Sequence, residues 1–187
     1  MPIKRTLKKV KGVVCLPVIL SLLFILVAGS LSKLHSQQEK DYSIHANIIY
    51  HFTKYIDWPA NKKSGDFVIG VIGVSPLYGE LIANLANKTV GKQKIVIKRF
   101  SAREPSFPCH ILFIDDEKSS VLKKLAIRTA GYPILLVSEE EGLAQMGSCI
   151  NFITVSDHLK LEINKNNIEQ RGLSIASELL QLGTVIQ

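Results

Sequence analysis

The spacing of hydrophobic positions changes from segment to segment along the chain. Ile44, Ile48, Phe52, Tyr55 and Ile56 recur at helical spacing, which predicts a helix with one apolar face. Asp41 or Ser43 is its N-cap candidate, and Pro59 is expected to stop it at Trp58, the only tryptophan. A polar turn, 61–66, leads into Phe67–Gly73, a continuous apolar run that suits a strand buried on both faces. Ser75-Pro76 then opens a helix whose buried side carries Leu77, Leu81 and Leu85. Thr89–Gln93 reads as a turn.

Lys94–Phe100 alternates as a second strand, and its basic residues predict a place near a sheet edge. A proline-containing loop, 101–108, leads to the short apolar strand Ile111–Ile114. Glu117–Thr129 has helical spacing at Val121, Leu122, Leu125 and Ala126, with acids near its start. Pro133–Val137 is a fourth strand, and Glu139–Gln145 a helical turn. Cys149–Val155 and His158–Ile163 are separated only by Ser156-Asp157, which makes them an antiparallel hairpin. A helical region broken at Gly172 follows, with Ile175, Leu179 and Leu182 on one face. Strands alternate with helices until the hairpin. The expected fold is therefore α/β, a mostly parallel sheet flanked by helices on both faces, with a C-terminal antiparallel hairpin and a closing helix.

Charge changes the picture only after it is divided. Residues 1–36 hold six basic residues and no acid, which is +6 of the formal +7 and leaves about +1 for the rest. A nearly neutral domain gives no support for nucleic-acid binding. The same first segment places Lys4–Lys11 before an apolar run, Val13–Ala28, with small residues after it. That is the form of an export signal, with an uncleaved N-terminal anchor as the rival reading. The expected organisation is a signal peptide (or anchor) and linker over 1–36 and one domain over 41–187, on the periplasmic side if a bacterial inner membrane is crossed. Cys15 leaves with a cleaved leader. Cys109 and Cys149 then remain in a compartment that permits a disulfide between them, although both precede strands that need not be neighbours.

Candidate chemistry is thin. Asp115-Asp116-Glu117 follows a strand, where ligands bind in doubly wound folds. A phospho-accepting receiver would also need acids after the first strand, where Gly73-Val74-Ser75 stands, so a dipole-stabilised helix start is the plainer reading. Gly70 and Gly73 form half of a phosphate loop, and close backbone packing explains them as well. Cys109 and His110 are adjacent on an extended chain and point apart. His45 and His51 lack the i, i+4 spacing of helical metal pairs. Neither a metal site, a cofactor site nor a catalytic triad is expected.

Several blocks in order resemble the YfiR-like periplasmic family over residues 44–186. They are N-I-I-Y-H-F-T-K-Y-I-D-W-P, F-V-I-G-V-I-G-V-S-P-L-Y-G-E-L, L-A-N-K-T-V-G-K-Q-K-I-V-I-K, C-H-I-L-F-I, P-I-L-L-V-S-E-E-E-G-L-A, G-S-C-I-N-F, L-E-I-N and G-L-S-I-A-S-E-L-L-Q-L. Relatives often carry a cysteine near the position of Gly70 that can pair with the one at Cys109, and here that partner is missing.

The resemblance implies a regulatory binding protein and not an enzyme. Family members repress an inner-membrane diguanylate cyclase by binding its periplasmic sensor region, which lowers cyclic di-GMP and biofilm formation. An outer-membrane lipoprotein of the OmpA/Pal kind can sequester them, and a homodimer is compatible with the resemblance. The second reading is a small-molecule-sensing domain that signals to another membrane partner such as a sensor kinase, with a pocket near Gly73, Ser75 and Asp115. For a partner contact the aromatic residues Tyr55 and Trp58 are the candidates, because such residues dominate interface hot spots.

Overall fold

A computed structural model describes residues 40–186. The expected leader lies outside the described residues. No helix among the described residues is long and apolar enough to cross a membrane.

Helix α1 (Tyr42–Tyr55) starts at Asp41, whose carboxylate accepts from the Ser43 amide at 3.0 Å. It buries His45, Ala46, Ile49 and Phe52. The expected apolar stripe was therefore rotated: Ile44 is 48% exposed, and Ile48 is half-buried. A histidine and an alanine take core positions that a search for large apolar residues passes over. The helix also ends before Trp58. Ile56 turns to extended backbone (φ −104°, ψ 132°), because β1 (Ile56–Asp57) pairs antiparallel with β9 (Ser174–Ile175).

Strand β2 (Phe67–Ile72) is buried along its whole length. Helix α2 (Leu77–Leu85) buries Leu77, Leu81 and Leu85, the three expected positions, and packs against α1. The next residues differ from expectation. Thr89–Val90 is a two-residue strand, β3, that pairs antiparallel with β4 (Gln93–Phe100) and closes that edge of the sheet. Strand β5 (Ile111–Ile114) leads through a 3-10 turn (Asp116–Val121) into α3 (Leu122–Arg128). Strands β6 (Leu135–Ser138), β7 (Ile150–Val155) and β8 (His158–Asn164) follow, the last two as the expected hairpin turning through Ser156 and Asp157, both at positive φ.

The parallel strands lie in the spatial order β4-β2-β5-β6-β7. This is a doubly wound order whose direction reverses between β2 and β5. With right-handed crossovers throughout, the reversal puts α2 and α3 on opposite faces of the sheet. The hairpin does not close the far edge. After α4 (Lys165–Glu169), β9 and the one-turn helix α5 (Ser177–Leu180), the chain adds β10 (Thr184–Ile186), parallel to β8. The helical region expected to break at Gly172 is thus two short helices on either side of that glycine with β9 between them, and Ile175 belongs to that strand.

Buried polar groups tie these late elements down. Arg171 donates to the carbonyl and hydroxyl oxygens of Thr129, each at 2.9 Å. Asn167 donates through its amide to Ala144 O at 3.1 Å and Ser148 O at 2.8 Å. Both glycines before α2 are there for space. A Cβ on Gly70 would lie 2.6 Å from the Phe100 ring, and one on Gly73 (φ +112°) would lie 2.5 Å from Asp115 Cβ. Gly73→Ala combines a collision with a left-handed backbone strain of ~1–3 kcal/mol. Denaturant titration should show a loss of at least that size, whereas Gly79→Ala, where nothing lies within 4 Å, should cost nothing.

Candidate functional site: an apolar cleft beside a pinned helix exit

Trp58 lies in the core, only 4% exposed. Its ring stands edge-on to Phe67 (centroids 5.0 Å, 87°), and its indole N–H donates to the carbonyl of His110 at 3.3 Å. His110 stacks on Phe67 at 4.3 Å. Its Nδ1 accepts from the Val68 amide at 3.0 Å, so Nε2 carries the proton and donates to the Lys62 carbonyl at 2.9 Å. Lys62 in turn donates through Nζ to the Cys109 carbonyl at 3.1 Å. The W-P block and the turn after it are thereby clamped onto the start of β2 and β5. Burial drives the His110 pKa below its ordinary value, against the pull of its hydrogen bond to the Lys62 carbonyl.

Tyr55 has a different setting. It lines a cleft of about 370 Å³ with Ile48, Phe52, Leu159, Leu179 and Leu182. His51 and Lys160 bring the only titratable side chains besides Tyr55 itself. Leu179 is buried, and Leu182 is 65% exposed. One wall is α1, one is β8, and the third is the C-terminal segment. That segment is fixed by the β1–β9 pair and by the Ala176 amide, which donates to the Tyr55 carbonyl at 2.8 Å. The half-buried Ile48 and Tyr55 take their places here, on the flank of the helix that the core does not use.

At the switch point, the acids arrange differently from the expected Asp115-Asp116-Glu117 run. Carboxylate oxygens of Asp115, Asp116 and Glu139 lie within 4.8 Å of one another. Among the described residues this is the one group whose spacing would admit a cation. Glu139 comes from the end of β6, and no spacing in the sequence signals it. It accepts from the Tyr42 hydroxyl at 3.0 Å, and His45 Nε2 faces it at 3.9 Å. These contacts fasten the start of α1 over the ends of the parallel strands. Burial first, and then Asp116 and Glu117, raise the Asp115 pKa. Burial and the Glu139 charge raise that of Tyr42. The Asp115 side chain lies against Gly73, and the Tyr42 hydroxyl lies near Ser75. Asp115, Tyr42 and Glu139 thus stand around the position where a pocket near Gly73, Ser75 and Asp115 was expected.

The YfiR/HmsC-like family model matches residues 42–184, from the first residue of α1 to the first of β10. The chain belongs to the YfiR/HmsC-like family. No curated protein matches the chain. Membership places it among periplasmic regulators linked at family level to diguanylate cyclases, a regulatory and non-catalytic group.

The cysteines of this YfiR/HmsC-like domain are both free and buried, so the Cys109–Cys149 bond that the compartment would permit is not formed. They precede β5 and β7, and β6 runs between those strands. Two strand spacings, ~9–10 Å, exceed the ~7 Å that a bridge allows. Position 70 would not restore a partner either. Gly70 pairs across from Leu112, three residues beyond Cys109. Burial raises the Cys109 pKa to about 12, and burial also raises that of Cys149, so both thiols are poor nucleophiles.

Trp58→Ala should cost ~3–5 kcal/mol, as for other buried large-to-small changes, read as a fall in the urea midpoint. His110 should titrate below 6.5 by NMR. Its neutral form is the native one, so stability is full above pH 6.5 and falls as the unfolded chain takes up protons below it. Melting temperature should therefore drop between pH 7 and 5, and His110→Asn should flatten that slope.

Proposed function

We propose that this domain is a periplasmic binding protein that represses an inner-membrane diguanylate cyclase. Its target is the cyclase's periplasmic sensor region, and the result of binding is less cyclic di-GMP and less biofilm. Family membership supports the partner class. The observation that carries the site is the cleft around Tyr55, where a large apolar side chain, Leu182, stands 65% exposed beside a recess with a buried floor. Exposed apolar surface of this kind marks interaction sites. An aromatic or leucine side chain of the partner fits it as an anchor, with Tyr55 as the hot-spot residue.

Repression then follows from linkage. A protein that binds the inactive state of the cyclase better than the active state shifts the population by the ratio of the two affinities. An OmpA/Pal-like lipoprotein that covers the same cleft would compete for the repressor and release the cyclase. Trp58 contributes indirectly, by holding the exit of α1, so the contact role falls to Tyr55.

Deletion should raise cellular cyclic di-GMP. Tyr55→Ala and Leu182→Asp should each weaken capture of the cyclase periplasmic region at least tenfold, a loss of ~1.4 kcal/mol or more, with an unchanged melting temperature. Unchanged cyclic di-GMP on deletion, or undiminished capture by both variants, would contradict the assignment.

A further inference from the structure

A second recess lies at the N-terminal ends of β5 and β6, at the opposite end of those strands from Asp115. It has a volume of about 260 Å³ and is walled by Pro105, Phe107, Pro108, Tyr132 and Ile134. Two cationic side chains, Lys62 and Arg128, also line it, and no acidic side chain does.

Both cations are held in place by neutral acceptors. Arg128 donates to the Ala102 carbonyl at 2.7 Å and to the Glu104 carbonyl, and its guanidinium lies 5.3 Å from the centre of the Phe107 ring. Lys62 Nζ is placed by the Cys109 carbonyl, and the Lys62 carbonyl is fixed by His110 and by the Gln93 amide at 3.0 Å. Among the described residues neither cation has a carboxylate partner. A guanidinium has five N–H donors and an ammonium three, so each keeps donors to spare. Tyr132, 61% exposed, stands at the rim as an aromatic wall.

We propose that this recess binds a small planar organic carboxylate, of single-ring aromatic size. The carboxylate would meet Lys62 and Arg128, whose charge is already placed and not neutralised. The ring would lie among Tyr132, Phe107 and the two prolines. The volume is just below the ~300–1,000 Å³ of sites for drug-sized ligands, which suits one ring and excludes a nucleotide. The recess shares no residue with the Tyr55 cleft, so the inference stands apart from the docking role. Lys62 belongs to the turn that His110 and Trp58 clamp, so a ligand there would bear on the exit of α1.

Isothermal titration of the purified protein tests this with benzoate and 4-hydroxybenzoate. Benzyl alcohol serves as the uncharged ring and inorganic phosphate as the ringless anion. The expected result is saturable one-to-one binding of the two acids, with the alcohol and phosphate at least tenfold weaker. Tyr132→Ala, at an exposed position that leaves the fold intact, and Lys62→Met should each weaken the acids at least fivefold. No saturable binding of either acid would overturn the proposal. Equal affinity for the alcohol, equal affinity for phosphate, or unchanged affinity in both variants would do the same.

Discussion

The structure depends on how the exit of α1 is fastened to the sheet. The Val68 amide, at the start of the fully buried β2, needs an acceptor where no strand supplies one. His110 Nδ1 is that acceptor, and its other nitrogen holds the turn after Pro59 through Lys62. Trp58 closes the arrangement by donating to the His110 backbone. An unsatisfied buried amide would cost ~1–3 kcal/mol, and the tryptophan adds one of the larger apolar surfaces of the core. A single histidine therefore links β2, β5 and the W-P block, and only its neutral form can do so.

That clamp determines what the flank of α1 can present. The start of the helix is fixed at the switch point by Tyr42 and His45 on Glu139. Its end is fixed by Trp58 and by the β1–β9 pair. Between the two anchors, Ile48 and Tyr55 face away from the sheet's centre and meet β8 and Leu182 across the cleft. A rigid recess with both ends of its wall held loses little entropy on binding, which favours specific docking. At the crevice that doubly wound folds commonly use for ligands, Asp115 lies against Gly73 and Tyr42 stands near Ser75.

The long elements were legible in the chain because burial on one or both faces writes a period or a run. The β2 run, the α2 stripe and the β7–β8 hairpin all follow from such patterns. What escaped was short or distant. Strands β1, β3, β9 and β10 have two or three residues each, too few to show alternation, and their pairing is decided by tertiary context. The face of α1 was rotated because His45 and Ala46 are core residues there, while Ile44 faces water. Glu139 and Tyr42 are 97 residues apart, so the switch-point cluster exists only in the fold. The disulfide left open by the sequence is decided by strand order, since β6 separates the strands that follow the two cysteines. Tyr55 and Trp58 were singled out for their aromatic character alone, and the structure separates them into cleft and core.

The cleft between α1, β8 and the C-terminal segment is the face proposed to meet a membrane cyclase. Site-specific photo-crosslinking in living cells tests it most directly. A crosslinker at position 182 should trap the periplasmic region of an inner-membrane diguanylate cyclase. One at position 127, equally exposed on α3 across the sheet (Ile127 is 71% exposed), should not. Trapping of the cyclase from position 127 and not from position 182 would contradict the account.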